Sequence, residues 1–104
     1  MKGPAPVLKT QEIIAAACAD HSGPGGSEFR NVSTDSRSVE AGSLFVALVG
    51  EKFDAHDFIP EVLGKGARGI VVRKDRGAKL PEKIDADVFR VDDTLRALGD
   101  IARN

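Results

Sequence analysis

The feature that most constrains the fold is an uninterrupted apolar run over residues 44–49, with the sequence Leu-Phe-Val-Ala-Leu-Val. Gly42 lies just before the run and Gly50 ends it. A short apolar run between turn residues is typical of a strand buried on both faces, as strands in parallel sheets are. The chain therefore needs further elements that cover both sides of this strand.

The residues after this strand predict a strand–helix–strand unit. We expect a helix from about residue 55 or 57 to Gly66, capped by Asp54 or Asp57, with Pro60 tolerated in its first turn. Its apolar stripe consists of Phe58, Ile59, Val62 and Leu63. Residues 69–72 then form a second short buried strand. Short connections of this kind predict a right-handed βαβ unit with parallel strands.

Further elements flank this unit. The pattern predicts a helix over about 10–19 with Thr10 as its N-cap, a strand over 29–36 whose far end turns polar, and a strand over 88–91. A last helix follows Asp92-Asp93-Thr94, with Leu95, Leu98, Ile101 and Ala102 as its stripe. Residues 21–27 and 74–83 are interpreted as loops, the first of them mobile. The predicted fold is α/β, with a small mixed sheet of about four to five strands and flanking helices.

Composition excludes several classes of function. The chain has 104 residues, enough for one domain, and its 15 basic and 16 acidic residues are scattered, so that the net charge is −1. It has no Trp or Tyr and five Phe. Without a basic stripe or stacking platforms, nucleic acid is not expected as a partner. No stretch approaches the roughly 20 apolar residues of a membrane span, and residues 1–6 lack the apolar core of a signal peptide.

Neither cysteine nor histidine predicts a metal or redox site. Cys18 is the only cysteine, and it lies on an apolar helical stripe, so we interpret it as a small buried side chain in a reducing compartment. His56 would need further ligands to bind a metal, and His21, the only other histidine, lies in a predicted loop. We expect His56 to make a hydrogen bond at the helix start or a contact at the loop rim.

Polar side chains follow the strand over 29–36. On an extended backbone Thr34 and Ser36 share one face, and Asp35 and Arg37 share the other. The hydroxyls suit a ligand amide or sugar, whereas Asp35 is placed to fix the Arg37 fork or to cap the next turn. The alternative is a polar strand end with an Asx-turn, which the residues alone favour. With the polar loop after Gly50, this cluster predicts a binding rim for a polar small molecule.

Catalytic machinery is not visible in the sequence. The phosphate-binding motif Gly-x-x-x-x-Gly-Lys-Ser/Thr does not occur, and no nucleophile triad or carboxylate pair stands in a credible setting. We therefore predict no catalytic residue, no metal ligand and no cofactor in this chain. From its residues alone it is a binding domain.

Several motifs, in order and at matching spacing, resemble the N-terminal domain of the Mur ligases, which build the peptide of bacterial peptidoglycan on a UDP-linked sugar. The resemblance covers about residues 10–104. The motifs are Thr34-Asp35-Ser36-Arg37, Gly42-x-Leu-Phe-Val-Ala-Leu-x-Gly50, Phe53-Asp54-Ala55-His56-Asp57-Phe58 and Gly66-Ala67 before a valine strand.

Within the family the chain most resembles the members that add D-alanyl-D-alanine to the UDP-linked tripeptide. This rests on Thr10-x-Glu12-Ile13-x-x-Ala16, on residues 50–58 and on Val91-Asp92-Asp93-Thr94-Leu95-x-Ala97-Leu98-Gly99. The sister members that add the third peptide residue are one alternative, although they usually have Gly where this chain has Ala55. A stand-alone module that binds a protein through the polar rim is the other.

The resemblance implies a division of labour in a cytoplasmic bacterial enzyme of cell wall biogenesis, cell shape and cell division. Its N-terminal domain holds the UDP end of UDP-N-acetylmuramoyl tripeptide, a central domain binds ATP and magnesium, and a C-terminal domain receives the incoming dipeptide. The parent is then an ATP-dependent amide-forming ligase. Residues 1–104 would be one substrate-binding domain cut from that parent, inactive alone, with the central and C-terminal domains absent from this chain.

The resemblance also implies the site residues. Thr34 and Ser36 would contact the uridine or the diphosphate, and Asp35 and Arg37 would brace their loop. Gly50, Glu51, Lys52 and Phe53 would form a second loop over the nucleotide, with Lys52 near a phosphate and Phe53 on the uracil or the core. His56, at the rim, is also expected to bind the UDP part.

Overall fold

The computed structural model describes residues 8–103, apart from the side chains of residues 78, 79 and 103, and shows an α/β fold. The strands are β1 Leu8–Lys9, β2 Asp20–Ser22, β3 Glu28–Phe29, β4 Val32–Ser33, β5 Leu44–Val46, β6 Gly69–Arg73 and β7 Asp87–Val91. The helices are α1 Thr10–Ala17, α2 Ile59–Gly64 and α3 Thr94–Arg103, and 3-10 turns occupy Ser36–Ser38, Ala55–Phe58 and Lys74–Lys79.

Five strands form one mixed sheet in the order β2-β7-β6-β5-β4. The four strands β4, β5, β6 and β7 are parallel, and β2 is antiparallel to β7. Strands β1 and β3 form a separate antiparallel pair. The predicted mixed sheet and its parallel β5–α2–β6 unit are therefore confirmed.

The sheet separates two apolar cores, as strands buried on both faces require. Side chains alternate along β6, so Val71 packs with α1 and α3 whereas Ile70 and Val72 pack with α2. Phe29 and Phe89 meet edge to face in the first core, with ring centroids 6.1 Å apart. The two cores hold the sheet in place, and the sheet sets the positions from which the loops at its edges begin.

The interpretation of residues 21–27 as a loop is confirmed for residues 23–27 and is wrong for residues 21 and 22. His21 lies in strand β2, and the glycine-rich segment after it is held by Asp87, which is fully buried. Asp87 Oδ1 accepts hydrogen bonds from His21 Nε2 at 2.8 Å and from the backbone N–H of Gly25 at 2.7 Å. A Cβ on Gly23, where φ is +120°, would lie 2.7 Å from the Ala86 oxygen, so the loop packs closely on β7. A local sequence pattern does not reveal such pairing between distant segments.

Helix α1 differs from its prediction at both ends. Thr10 is not the N-cap but a buried residue inside the helix, where its Oγ1 accepts the Ser27 N–H at 3.0 Å. The helix start is closed instead by the Glu12 carboxylate, which accepts the Lys9 N–H at 2.9 Å. Cys18 is exposed rather than buried, because the chain turns into the left-handed region there, with φ at +51°, and the helix ends at Ala17.

The predicted strand over 29–36 is two short strands, because β3 pairs with β1 and β4 pairs with β5. The strand over 44–49 has regular pairing only to Val46. Phe58 and Leu95, assigned to apolar stripes, are 43% and 67% exposed. The predicted cap at Asp54 is confirmed, since its carboxylate accepts the His56 N–H at 2.9 Å. The segment begins as a 3-10 turn, however, and the α-helix ends at Gly64 rather than Gly66.

The four parallel strands end at one edge of the sheet, which we call the carboxyl edge. It is defined by Ser33, Val46, Arg73 and Val91, the last residues of β4, β5, β6 and β7. Open α/β sheets bind their ligands at this kind of edge. Among the described residues, no helix has the length and apolarity to cross a membrane.

Candidate functional site

The two polar segments singled out in the sequence leave the sheet side by side. Residues 34–38 follow β4, and residues 47–56 follow β5. Because β4 and β5 are adjacent and parallel, both segments begin at the carboxyl edge. The fold therefore starts the two predicted loops from neighbouring positions on this edge.

The first loop is a tight turn that Asp35 organises. Its Oδ1 accepts the Arg37 backbone N–H at 2.9 Å, and its two carboxylate oxygens accept Arg37 Nε at 3.1 Å and Nη2 at 2.9 Å. The Arg37 side-chain and backbone hydrogen bonds lower the pKa of Asp35 to about 2. Asp35 and Arg37 thus satisfy each other and stabilise the turn.

Two further contacts fix the same turn. Ser33 Oγ donates to the Asp35 carbonyl at 2.8 Å, and Lys65 Nζ donates to the Ser36 carbonyl at 2.8 Å. The hydroxyls of Thr34 and Ser36 make no hydrogen bond within the described part of the chain, and Thr34 is exposed. The braced turn therefore leaves two hydroxyl groups for another molecule.

The second loop is a narrow hairpin-like turn. An isolated bridge joins Val49 to Asp54, and the Gly50 N–H donates to the Phe53 carbonyl at 2.9 Å. Glu51 and Lys52 form the exposed tip. Phe53 is 57% exposed and its ring lies directly on Gly50, where a Cβ would overlap the ring carbons. Glycine is thus required for this close approach.

His56 lies inside the protein rather than at the rim. It is fully buried, its Nδ1 is 2.6 Å from Asp54 Oδ1, and its Nε2 accepts the backbone N–H of Arg73 at 3.0 Å. Because Nε2 is an acceptor, the ring is the neutral Nδ1–H tautomer. Burial lowers the pKa of His56 despite the nearby Asp54 carboxylate. Of its two predicted roles, the hydrogen bond at the helix start is the one it has.

Asp54 joins this histidine to the 3-10 turn that follows β6. Its Oδ2 accepts Arg76 Nε at 2.8 Å while its Oδ1 serves His56. Burial alone would raise the pKa of Asp54, but hydrogen bonds from the His56 backbone and from Arg76 hold it well below the usual range. The second loop is therefore anchored to two elements at once.

Arg73 and Arg76 are residues of this edge that the sequence interpretation missed. Arg73 Nη2 and Arg76 Nη1 both donate to Asp75 Oδ2, at 2.8 and 3.2 Å. The signal was present, because Arg73 directly follows the buried run over 69–72, as the other polar residues follow their strands. No metal-binding group of three or more His, Cys, Asp or Glu occurs in the part of the chain that the structure describes.

Comparison with known proteins identifies the family that this chain matches. A family model described as "Mur ligase family, catalytic domain" matches residues 28–104. The chain is 32% identical over 96 residues to the UDP-N-acetylmuramoyl-tripeptide--D-alanyl-D-alanine ligase of Haemophilus influenzae, which covers 92% of this chain and 20% of the ligase. It is 42% identical over 73 residues to the UDP-N-acetylmuramoyl-L-alanyl-D-glutamate--2,6-diaminopimelate ligase of Cytophaga hutchinsonii, covering 67% of this chain and 14% of that ligase.

A solved structure agrees with these relatives. The crystal structure of MurF from Acinetobacter baumannii superposes with a TM-score of 0.79 at 30% identity, covering 95% of this chain and 21% of that protein. The chain therefore spans about a fifth or less of the length of the relatives it matches.

Proposed function

The chain belongs to the Mur ligase family, as its motifs predict, and we propose that it binds the uridine diphosphate part of a UDP-N-acetylmuramoyl peptide. One observation carries the proposal. Two braced loops follow adjacent parallel strands at the carboxyl edge of the sheet; the first presents uncommitted hydroxyls and the second an exposed aromatic ring. A nucleotide needs polar groups for its ribose and phosphates and a flat apolar surface for its base.

The first loop supplies the polar groups. Thr34 and Ser36 contact the uridine or the diphosphate through their hydroxyls. Asp35 and Arg37 brace the turn, since the carboxylate and the guanidinium already satisfy each other. Their mutual hydrogen bonds explain why a cluster of charged and polar residues keeps a fixed shape at an exposed position.

The second loop closes over the nucleotide. Phe53 offers an exposed ring face for the uracil, and Lys52 at the tip meets a phosphate as a point charge. Gly50 and Glu51 shape the turn that carries them. His56 does not touch the ligand but positions this loop, because both of its ring nitrogens are engaged inside the protein.

The parent protein is then an ATP-dependent ligase of bacterial peptidoglycan synthesis that joins D-alanyl-D-alanine to UDP-N-acetylmuramoyl tripeptide in the cytoplasm. ATP and magnesium bind in a central domain outside this chain, and a C-terminal domain receives the dipeptide. Two facts support this division. The sequence lacks the phosphate-binding motif, and the chain spans only a fifth of a relative with that name. The isolated chain accordingly hydrolyses no ATP.

A second candidate is the sister activity, which adds the third residue of the peptide. The relative from Cytophaga hutchinsonii, which is named for that activity, favours it. The presence of Ala55, where those members usually have Gly, favours the addition of D-alanyl-D-alanine. Both candidates share the uridine diphosphate site, so the site is tested independently of this choice.

The test is a titration of the isotope-labelled 104-residue chain with UDP, followed by amide chemical shifts. We expect shifts over residues 33–37 and 50–56, and none over residues 40–42 and 66–68, which lie together at the opposite edge. If the two loops do not respond at millimolar UDP, the chain does not bind this nucleotide. Shifts confined to the opposite edge would contradict the site.

A further inference from the structure

Arg73 ends the central strand β6 at the carboxyl edge, where β7 pairs it with Val91, whereas β5 ends two residues earlier, opposite Val71. Its side chain is only 30% exposed. The Nε atom is buried and has no hydrogen-bond partner among the described residues. A buried donor on a charged group is costly to leave unmatched, so this position requires an explanation.

The surroundings of Arg73 connect it to the second loop. Its backbone N–H donates to His56 Nε2, and its Nη2 donates to Asp75 Oδ2. The same Asp75 oxygen accepts Arg76 Nη1, and Arg76 Nε binds Asp54, which closes the turn of Gly50 to Phe53. The guanidinium of Arg73 is therefore linked, through Asp75 and Arg76, to Asp54 at the base of the loop that carries Lys52.

Apart from the exposed Lys52 at the tip of the second loop, three other cations near the two loops already have partners. The Nε and Nη2 atoms of Arg37 bind Asp35, Arg76 binds Asp54 and Asp75, and Lys65 binds the Ser36 carbonyl. In the described part of the chain, Arg73 is the arginine with a buried side-chain donor that lacks an acceptor. Because 30% of the Arg73 side chain is exposed and its hydrogen bonds are incomplete, Arg73 is, with Lys52, a cation at this edge that a ligand can engage.

We propose that Arg73 binds the diphosphate of the uridine nucleotide, with its guanidinium donating to phosphate oxygens. This rests on the proposed function and adds to it the cation that recognises the diphosphate. A guanidinium fork matches two phosphate oxygens at once, which an ammonium group does not. Partial burial strengthens such a charge-assisted bond, and the end of a central parallel strand is where α/β sheets receive ligands.

The test compares the dissociation constants of UDP and of uridine for the 104-residue chain and for its Arg73→Gln variant. The substitution keeps the backbone N–H that binds His56, so the loop anchor remains. We expect UDP to bind roughly tenfold more weakly and uridine to bind as before. Arg68→Gln removes the same charge at the other end of the strand, just before Gly69, and should leave both constants unchanged.

Arg73→Lys keeps the charge and removes the fork, so it should also weaken UDP. If Arg73→Gln lowers the thermal unfolding midpoint, the UDP affinity of Arg73→Lys tests the role of the guanidinium instead. Equal UDP affinity in the wild-type protein and both variants would overturn the role of Arg73 and leave the nucleotide site standing. An equal loss for uridine and UDP would also overturn it. Failure of the wild-type chain to bind UDP would overturn both proposals.

Discussion

The imidazole of His56 accepts the backbone N–H of Arg73 at 3.0 Å, in the interior of the protein. This bond ties the loop after β5 to the end of β6, two strands that are already neighbours in the sheet. Asp54 completes the link by holding the other ring nitrogen. The second loop of the candidate site therefore depends on a buried histidine that must stay neutral to accept this bond.

Acid should destabilise the protein through His56. Burial lowers its pKa below the ordinary value of about 6.5, so the unfolded chain takes up a proton at a pH where the folded chain does not. The contribution of His56 to the free energy of unfolding should be complete above about pH 6.5. Below that pH the free energy of unfolding should decrease, by up to about 1.4 kcal/mol per pH unit. Urea unfolding at pH 7.5, 6.5 and 5.5 measures this.

His56→Ala should lower stability at pH 7.5, because it removes a buried ring and two hydrogen bonds. It should also flatten the dependence on pH between 7.5 and 5.5, since the titrating group is gone. A variant with the same slope as the wild-type protein would show that His56 is not the group responsible. Lys52→Ala, at the exposed tip of the same loop, serves as the control for both measurements.

Asp87 should anchor the glycine-rich segment before β3. Burial alone would raise its pKa, but hydrogen bonds from Ser27, His21 and the Gly25 N–H lower it, so the buried carboxylate stays charged. Asp87→Ala should destabilise the protein by about 3 kcal/mol, as expected when one partner of a buried charged network is removed. Amide hydrogen exchange over residues 20–27 should rise more than elsewhere.

The control for Asp87 is Asp85→Ala, two residues earlier at an exposed position. It should change neither the free energy of unfolding nor the exchange of residues 20–27. Unchanged protection of that segment in Asp87→Ala would contradict the anchoring role. A uniform rise in exchange across the whole sheet would do so as well.

Much of the scaffold was predictable because its signals are local. Strand β6, helix α2 and the cap at Asp54 each follow from residues close together in the sequence. Strand β2 was not predictable, because Asp20-His21-Ser22 has no apolar alternation and becomes a strand only by pairing with β7. A helix pattern could not place Cys18 either, since one left-handed residue turns it to solvent.

The candidate site also has parts that the sequence predicts and parts that it does not. The Asp35–Arg37 turn was predictable because its partners are two residues apart. The role of His56 at the helix start was predictable, but its burial was not, because that depends on Arg73 in a different strand. The side-chain contact between Arg76 and Asp54 likewise exists only once β5 and β6 are paired.

Gly50→Ala should disturb the second loop specifically. The new methyl group would overlap the Phe53 ring, which must swing away, and this costs little stability because the ring is 57% exposed. UDP affinity should fall while the unfolding midpoint changes little. Amide shifts and a UDP titration measure the two effects.

The matched control is Gly64→Ala at the end of α2, where a Cβ meets nothing within 4 Å and φ is not positive. It should leave UDP affinity unchanged and stabilise the protein by about 0.5 kcal/mol, since alanine favours the helix. If Gly50→Ala binds UDP like this control, the Phe53 ring has no part in the site.

The central claim is that the hydroxyls of the first loop bind a uridine nucleotide. The most direct measurement is the dissociation constant of UDP for the wild-type chain, for Thr34→Val/Ser36→Ala and for Ser38→Ala, a serine in the same turn. We predict measurable binding by the wild-type chain and by Ser38→Ala, and a loss of roughly tenfold in the double variant. Equal affinity in all three proteins, or no binding of UDP by any of them, would contradict the claim.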